Sequence, residues 1–144
     1  MKILFVCSGN TCRSPMAQAM FEKLAKEKKI DAECYGAGIT ACTGAAASEN
    51  AVVVLKEIGI DLSDYRSTSI KDLNLNDFDL FVPMTLAHAV SLMSLGAERE
   101  KIYLFDKDVS DPYGGDVNVY RETRDELAKN LDRLAYFLNF KNNI

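Results

Sequence analysis

The 144-residue chain contains no tryptophan, a single histidine (His88) and no cysteine beyond Cys42. It has no apolar run close to the ~20 residues a membrane-spanning helix requires. Even so, 48% of its residues are hydrophobic, enough for a substantial core in a chain of this length. Positive charge is not in excess: 17 Lys and Arg face 21 Asp and Glu, a net charge of −4. That balance argues against nucleic acid as a partner. The four cysteines, Cys7, Cys12, Cys34 and Cys42, do not resemble the disulfide framework of a secreted domain. Their spacings fit no common zinc pattern, and Arg13 would repel a metal held beside it. Repeats, low-complexity tracts and linker-like stretches are missing, so residues 1–144 are expected to form one domain. The opening lacks the long apolar segment of a signal peptide. A cytoplasmic monomer with no membrane partner is the expectation, with His88 at the surface of a polar helix.

What is present is an alternation of two periodicities. Strands are expected at residues 2–6, 31–35, 79–82 and 101–104, and helices at 15–28, 48–58, 85–95 and 118–138. Ser48 is placed to cap the second helix, and Gly59 and Gly96 to end the second and third. The last helix carries Val119, Thr123, Leu127, Leu131, Leu134 and Leu138 along one side. Strands interleaved with helices imply an α/β fold, a doubly wound parallel sheet with four strands and helices on both faces. Ligands bind such sheets at the carboxyl ends of the strands, where the chain switches direction.

At the end of the first strand lies Cys7-Ser8-Gly9-Asn10-Thr11-Cys12-Arg13-Ser14, followed by Pro15 at an early position of the first helix. A loop entering a helix N-terminus has backbone N–H groups free to converge on an anion, next to the positive end of the helix dipole. Ser8, Gly9, Asn10, Thr11 and Cys12 would build that cradle, with Cys7 present as a thiolate nucleophile. Arg13 adds a planar fork of donors matched to two phosphoryl oxygens. Gly9 is read as allowing close backbone approach or an unusual dihedral, and Asn10 as tolerating a left-handed one. Ser14 can donate its hydroxyl to the Cys7 sulfur, cap the helix, or do both. Asp111, restrained by Pro112, is the candidate general acid, with an ordinary Asp-Pro turn as the alternative. Tyr113 is placed to line the pocket wall and Tyr120 to pack.

The loop resembles the CX5R(S/T) loop of protein tyrosine phosphatases. Its position near the start of the chain, the form CxGNxCRSP and the distant Ser110-Asp111-Pro112-Tyr113 resemble the low-molecular-weight branch. The resemblance implies a flavodoxin-like or Rossmann-like sheet in the order 2-1-3-4 and hydrolysis of phosphorylated proteins to inorganic phosphate through a phosphocysteine. It implies no cofactor and no metal. Within that branch, Thr11 resembles the residue found in relatives that act on phosphoarginine, where tyrosine-directed relatives carry an aliphatic one. Gly114-Gly115 after Tyr113, and Met84-Thr85 followed by His88, point the same way. Thr11 and Tyr113 are therefore the candidate specificity residues, with phosphoarginine favoured and phosphotyrosine the alternative.

Two departures concern supporting residues. Gly36-Ala37-Gly38 stands where Ser-Ala-Gly is common, removing a hydroxyl, and Gln18 replaces a frequent glutamate. A thioredoxin-coupled arsenate reductase needs relay cysteines in the second half, which this chain lacks. A phosphocarrier has no use for Arg13 or Asp111, and a silent phosphate-binding module has no use for the complete set. Cys12 is either core packing or the partner of Cys7 in a reversible disulfide that would make the enzyme redox-sensitive.

Overall fold

The computed structural model describes residues 1–142. Three strands, β1 (Lys2–Cys7), β2 (Glu33–Gly38) and β3 (Leu80–Pro83), form a parallel sheet in the order β2-β1-β3. The register runs from Lys2 opposite Glu33 to Cys7 opposite Gly38, and from Ile3 opposite Leu80 to Val6 opposite Pro83. Four helices accompany them: α1 (Arg13–Lys28), α2 (Glu49–Lys56), α3 (Leu86–Ser94) and α4 (Val117–Asn142).

The pleat of β1 divides the core in two. Ile3, Phe5 and Cys7 face a cluster built from α1, α2 and α4, including Met16, Phe21, Leu55, Leu127, Leu131 and Leu134. Leu4 and Val6 face the other way, onto Ile70, Phe78, Phe81 and Leu92. A strand buried on both faces must read as a continuous apolar run, as Ile3-Leu4-Phe5-Val6 does. Full burial of Phe5, Phe21 and Phe81 contributes about 1.5–3 kcal/mol each. The central strand is thereby fixed, and its last residue, Cys7, is fixed with it.

The expected fourth strand is not one. Around 101–104 the chain makes a 3-10 turn, Arg99–Lys101, then a single parallel bridge between Ile102 and Phe81. Tyr103 N–H donates to Phe81 O at 2.9 Å, after which the chain leaves the sheet. The described sheet therefore has the order 2-1-3, and the predicted 2-1-3-4 is corrected to that extent. A second correction concerns α1, which begins at Arg13 and not at Pro15. Arg13 and Ser14 lie in its first turn, and the N-cap position falls to Cys12, which makes no side-chain capping bond. Ser14 does not cap the helix.

Candidate active site

Cys7 closes β1, and residues 8–12 carry the chain into α1. The turn is made by Asn10 at φ 54°, a conformation its short polar side chain tolerates. Gly9 has no positive φ, and an added Cβ there would meet nothing closer than Thr11 Oγ1 at 3.7 Å. Within this loop the positive φ thus belongs to Asn10 alone. It brings the Asn10 backbone N–H to 3.2 Å from Cys7 Sγ.

The Asn10 carboxamide ties the loop to its surroundings. Its Oδ1 accepts from Thr68 N–H at 2.8 Å and from the Tyr65 hydroxyl at 2.9 Å. Its Nδ2 donates to Ser14 Oγ at 2.7 Å. Because that oxygen accepts from Asn10, the Ser14 proton is available to Cys7 Sγ, 2.8 Å away. Two donors are thus aimed at one sulfur, which is itself 2% exposed at the floor of the site. The N–H groups of Gly9, Thr11 and Cys12 donate to no protein group among the described residues, leaving them for an anion at the N-terminus of α1.

Arg13 is buried, a position a guanidinium holds only with partners. One arm donates to Val109 O at 3.1 Å, and the other stands 3.7 Å from Asp111 Oδ2. Asp111 comes from the segment before α4, and its Oδ1 accepts the Tyr113 N–H at 3.1 Å, so the turn and the acidic group coexist in one residue. Cys7, Ser8, Gly9, Asn10, Thr11, Cys12, Arg13, Asp111 and Tyr113 all border one cleft of about 240 Å³, joined there by Thr40. A larger hollow beside Val52 and Lys56 holds no such constellation.

His88 is not at the surface. It is buried, with Nε2 2.8 Å from Ser8 Oγ and Nδ1 2.9 Å from Thr85 Oγ1. Burial, aided by the nearby Arg13 charge, pulls its pKa down to about 4, so the ring beneath the loop is neutral at pH 7. Tyr120 packs as expected but also brings its hydroxyl within 3.2 Å of Cys12 Sγ, which in turn donates to Ser48 Oγ at 3.5 Å. Burial, then its bond with Cys12, push the Tyr120 phenol up to about 12. All four cysteines are free thiols, Cys42 exposed and Cys34 half-buried, the latter pushed up to about 12 by desolvation. Sequence reasoning missed Tyr65, Thr40 and Ser48. Only Ser48, named as a helix cap, had left any trace.

A cysteine at a strand end, an arginine six residues later at the start of α1 and a carboxylate facing them across a small cleft define a phosphate-handling α/β enzyme. The family described as low molecular weight phosphotyrosine protein phosphatase matches residues 2–143, and the chain belongs to it. A protein-arginine-phosphatase of Bacillus subtilis is 37% identical over 143 residues, covering 94% of this chain and 95% of that protein. One from Geobacillus stearothermophilus is 39% identical over 142 residues, covering 93% of each. Among solved structures, the YwlE arginine phosphatase C7S mutant with a phosphorylated active-site serine superimposes with a TM-score of 0.91. It is 35% identical, with 96% of each chain covered. No helix among the described residues is long and apolar enough to cross a membrane.

Proposed function

We propose that the chain is a cysteine-dependent protein phosphatase that removes phosphoryl groups from protein side chains, phosphoarginine above all, as a single-domain cytoplasmic monomer. The observation that carries this is the Cys7 sulfur, receiving bonds from Ser14 and Asn10 at the floor of a cleft that Arg13 and Asp111 close. In the first step Cys7 Sγ attacks phosphorus, forming the S–P bond as the P–N or P–O bond to the side chain breaks. Asp111 gives its proton to the departing guanidine or phenol. Arg13 and the loop amides bind the equatorial oxygens and stabilise the charge that builds there. In the second step Asp111 takes a proton from water, water oxygen attacks phosphorus and the S–P bond breaks. Inorganic phosphate leaves, and the Ser14 hydroxyl receives the returning negative charge on sulfur. Arg13 and the amides supply the positive field, so the reading calls for no metal and no cofactor.

The preference for phosphoarginine is supported by Thr11, whose hydroxyl makes the cleft wall polar where a guanidinium must pass, and by the names of the relatives from B. subtilis and G. stearothermophilus. A second reading, phosphotyrosine, rests on Tyr113, a residue 79% exposed at the cleft whose ring can stack on a phenol. Purified protein assayed on matched peptides carrying each group decides between them. The expected result is a higher kcat/KM for phosphoarginine, a preference narrowed by Thr11→Ile, and no turnover by Cys7→Ser on either peptide. Turnover by Cys7→Ser at a rate near the parent's overturns the nucleophile assignment, and equal peptide ratios in parent and Thr11→Ile overturn the role of Thr11.

A further inference from the structure

We propose that Tyr65 is a positioning residue for the nucleophile loop, its hydroxyl holding Asn10 in place, and that Gly36 is the partner that makes room for that hydroxyl. The inference rests on the reading of Cys7 as nucleophile. Asn10 is fully buried with a positive φ, so both its backbone and its carboxamide must be held by specific partners. Two groups hold the Oδ1 end, and only one of them is a side chain: Tyr65, 55 residues away. By accepting both bonds, Oδ1 fixes which end of the carboxamide faces Ser14. That end is the donor Nδ2, and a donor there leaves the Ser14 proton for sulfur. The Tyr65 proton, together with the Thr68 N–H, thus sets the polarity of every bond in the series from Asn10 through Ser14 to Cys7.

Gly36 supplies the second, independent observation. It lies on β2, beside β1, and opposite Phe5 in the register. A Cβ added there would stand 2.6 Å from Tyr65 Oη, 2.6 Å from Gln18 Oε1 and 2.9 Å from Asn10 Nδ2, closer than real carbon atoms approach. Gly36 has no positive φ, so nothing in its own backbone demands glycine. The demand comes from the tyrosine hydroxyl lying across it, together with the Gln18 amide oxygen on the same spot. Burial also raises the Tyr65 phenol well above its ordinary value, so it remains a donor throughout the range in which such an enzyme works.

The test uses Tyr65→Phe, Gly36→Ala and the double variant, each with thermal melting to confirm folding. Tyr65→Phe keeps the ring and loses only the hydroxyl. We expect its kcat on nitrophenyl phosphate to fall about tenfold with KM within about twofold, because Arg13 and the loop amides that bind phosphate are untouched. Alkylation of Cys7 by iodoacetamide, a readout without substrate, should slow in parallel. Gly36→Ala should lower kcat comparably, and the double variant no further than the worse single one, since both act on Asn10. A Tyr65→Phe enzyme with the parent's kcat and alkylation rate overturns the proposal, as does a double variant whose losses multiply. Should Gly36→Ala melt early, Tyr65→Phe alone decides by the same two readouts. If Cys7→Ser is inactive while Tyr65→Phe matches the parent, only the role of Tyr65 fails. Turnover by Cys7→Ser removes the phosphatase reading itself.

Discussion

Asp111 keeps 57% of its side chain exposed while one oxygen faces Arg13 and the other accepts the Tyr113 N–H. That combination suits a group which must meet both a leaving group and a water molecule, and it yields a test. Asp111→Asn preserves the turn, because an amide oxygen also accepts the Tyr113 N–H, but it has no proton to give as an acid. Activity on nitrophenyl phosphate should fall by about tenfold, and on a phosphoarginine peptide by about a hundredfold or more. The departing guanidine is a far stronger base than a phenolate and needs the proton more. Equal losses in the two assays would reduce Asp111 to a turn residue. At this scale the sequence exposed Cys7, Arg13 and Asp111, since two are bound by a fixed spacing and the third by its Pro112-Tyr113 context. The contacts that Tyr65, His88 and Tyr120 make with the loop stayed hidden because they span 55, 80 and 108 residues. Nothing in a tyrosine's own neighbourhood tells which buried amide it will meet. The hydroxyl missing at Gly36 looked like a loss, yet it is the vacancy that Tyr65 uses.

Among the elements, α2 connects helix capping with the loop. Ser48 caps it, its Oγ accepting from Ala51 N–H at 3.4 Å and from Cys12 Sγ at 3.5 Å, while its own N–H donates to Thr11 O at 2.9 Å. The start of a helix and the far side of the phosphate loop are therefore held by one residue. Ser48→Ala should cost about 1 kcal/mol of stability, read as a lower urea midpoint with an unchanged slope. The backbone bond to Thr11 survives the substitution, so KM on nitrophenyl phosphate should stay near the parent value. Capping, stop signals and periodicity made α2, α3 and α4 legible, because Ser48, Gly96 and the leucine stripe of α4 act locally. The segment 101–104 misled for the opposite reason. Lys101-Ile-Tyr-Leu104 has strand composition, but whether it pairs depends on β3, whose hydrogen-bonded register stops at Pro83. A residue without an N–H cannot extend a ladder. The early start of α1 was equally invisible, since Pro15 marks the first turn of a helix without fixing which residue of that turn it occupies.

For the molecule as a whole, two ionisable groups tie folding to pH in separate windows. His88 has a folded-state pKa near 4 against an ordinary 6.5, so the unfolded chain takes up the proton first as pH falls. Its contribution is complete above pH 6.5 and is lost progressively between 6.5 and 4. Glu57 bridges α2 and α4 through Arg121 at 2.6 Å and Arg124 at 2.8 Å. The Arg121 hydrogen bond, ahead of Arg124, holds its carboxyl near 2, below the ordinary 4.5. Its contribution is complete above 4.5 and is lost as pH falls towards 2. Glu57 is solvent-exposed and screened, whereas His88 is enclosed beneath the loop, so the steeper effect should come from the histidine. Urea midpoints measured from pH 7.5 down to pH 4 should decline for the parent, with most of the decline between 6.5 and 4. His88→Gln offers amide donor and acceptor atoms to Ser8 and Thr85 but cannot titrate, so it should flatten that upper window. Glu57→Gln should leave the upper window intact and act below 4.5, with an effect that shrinks as salt is added. If His88→Gln retains the parent's slope between 6.5 and 4, the neutral buried imidazole is not what links the loop's support to the folding of the sheet beneath it.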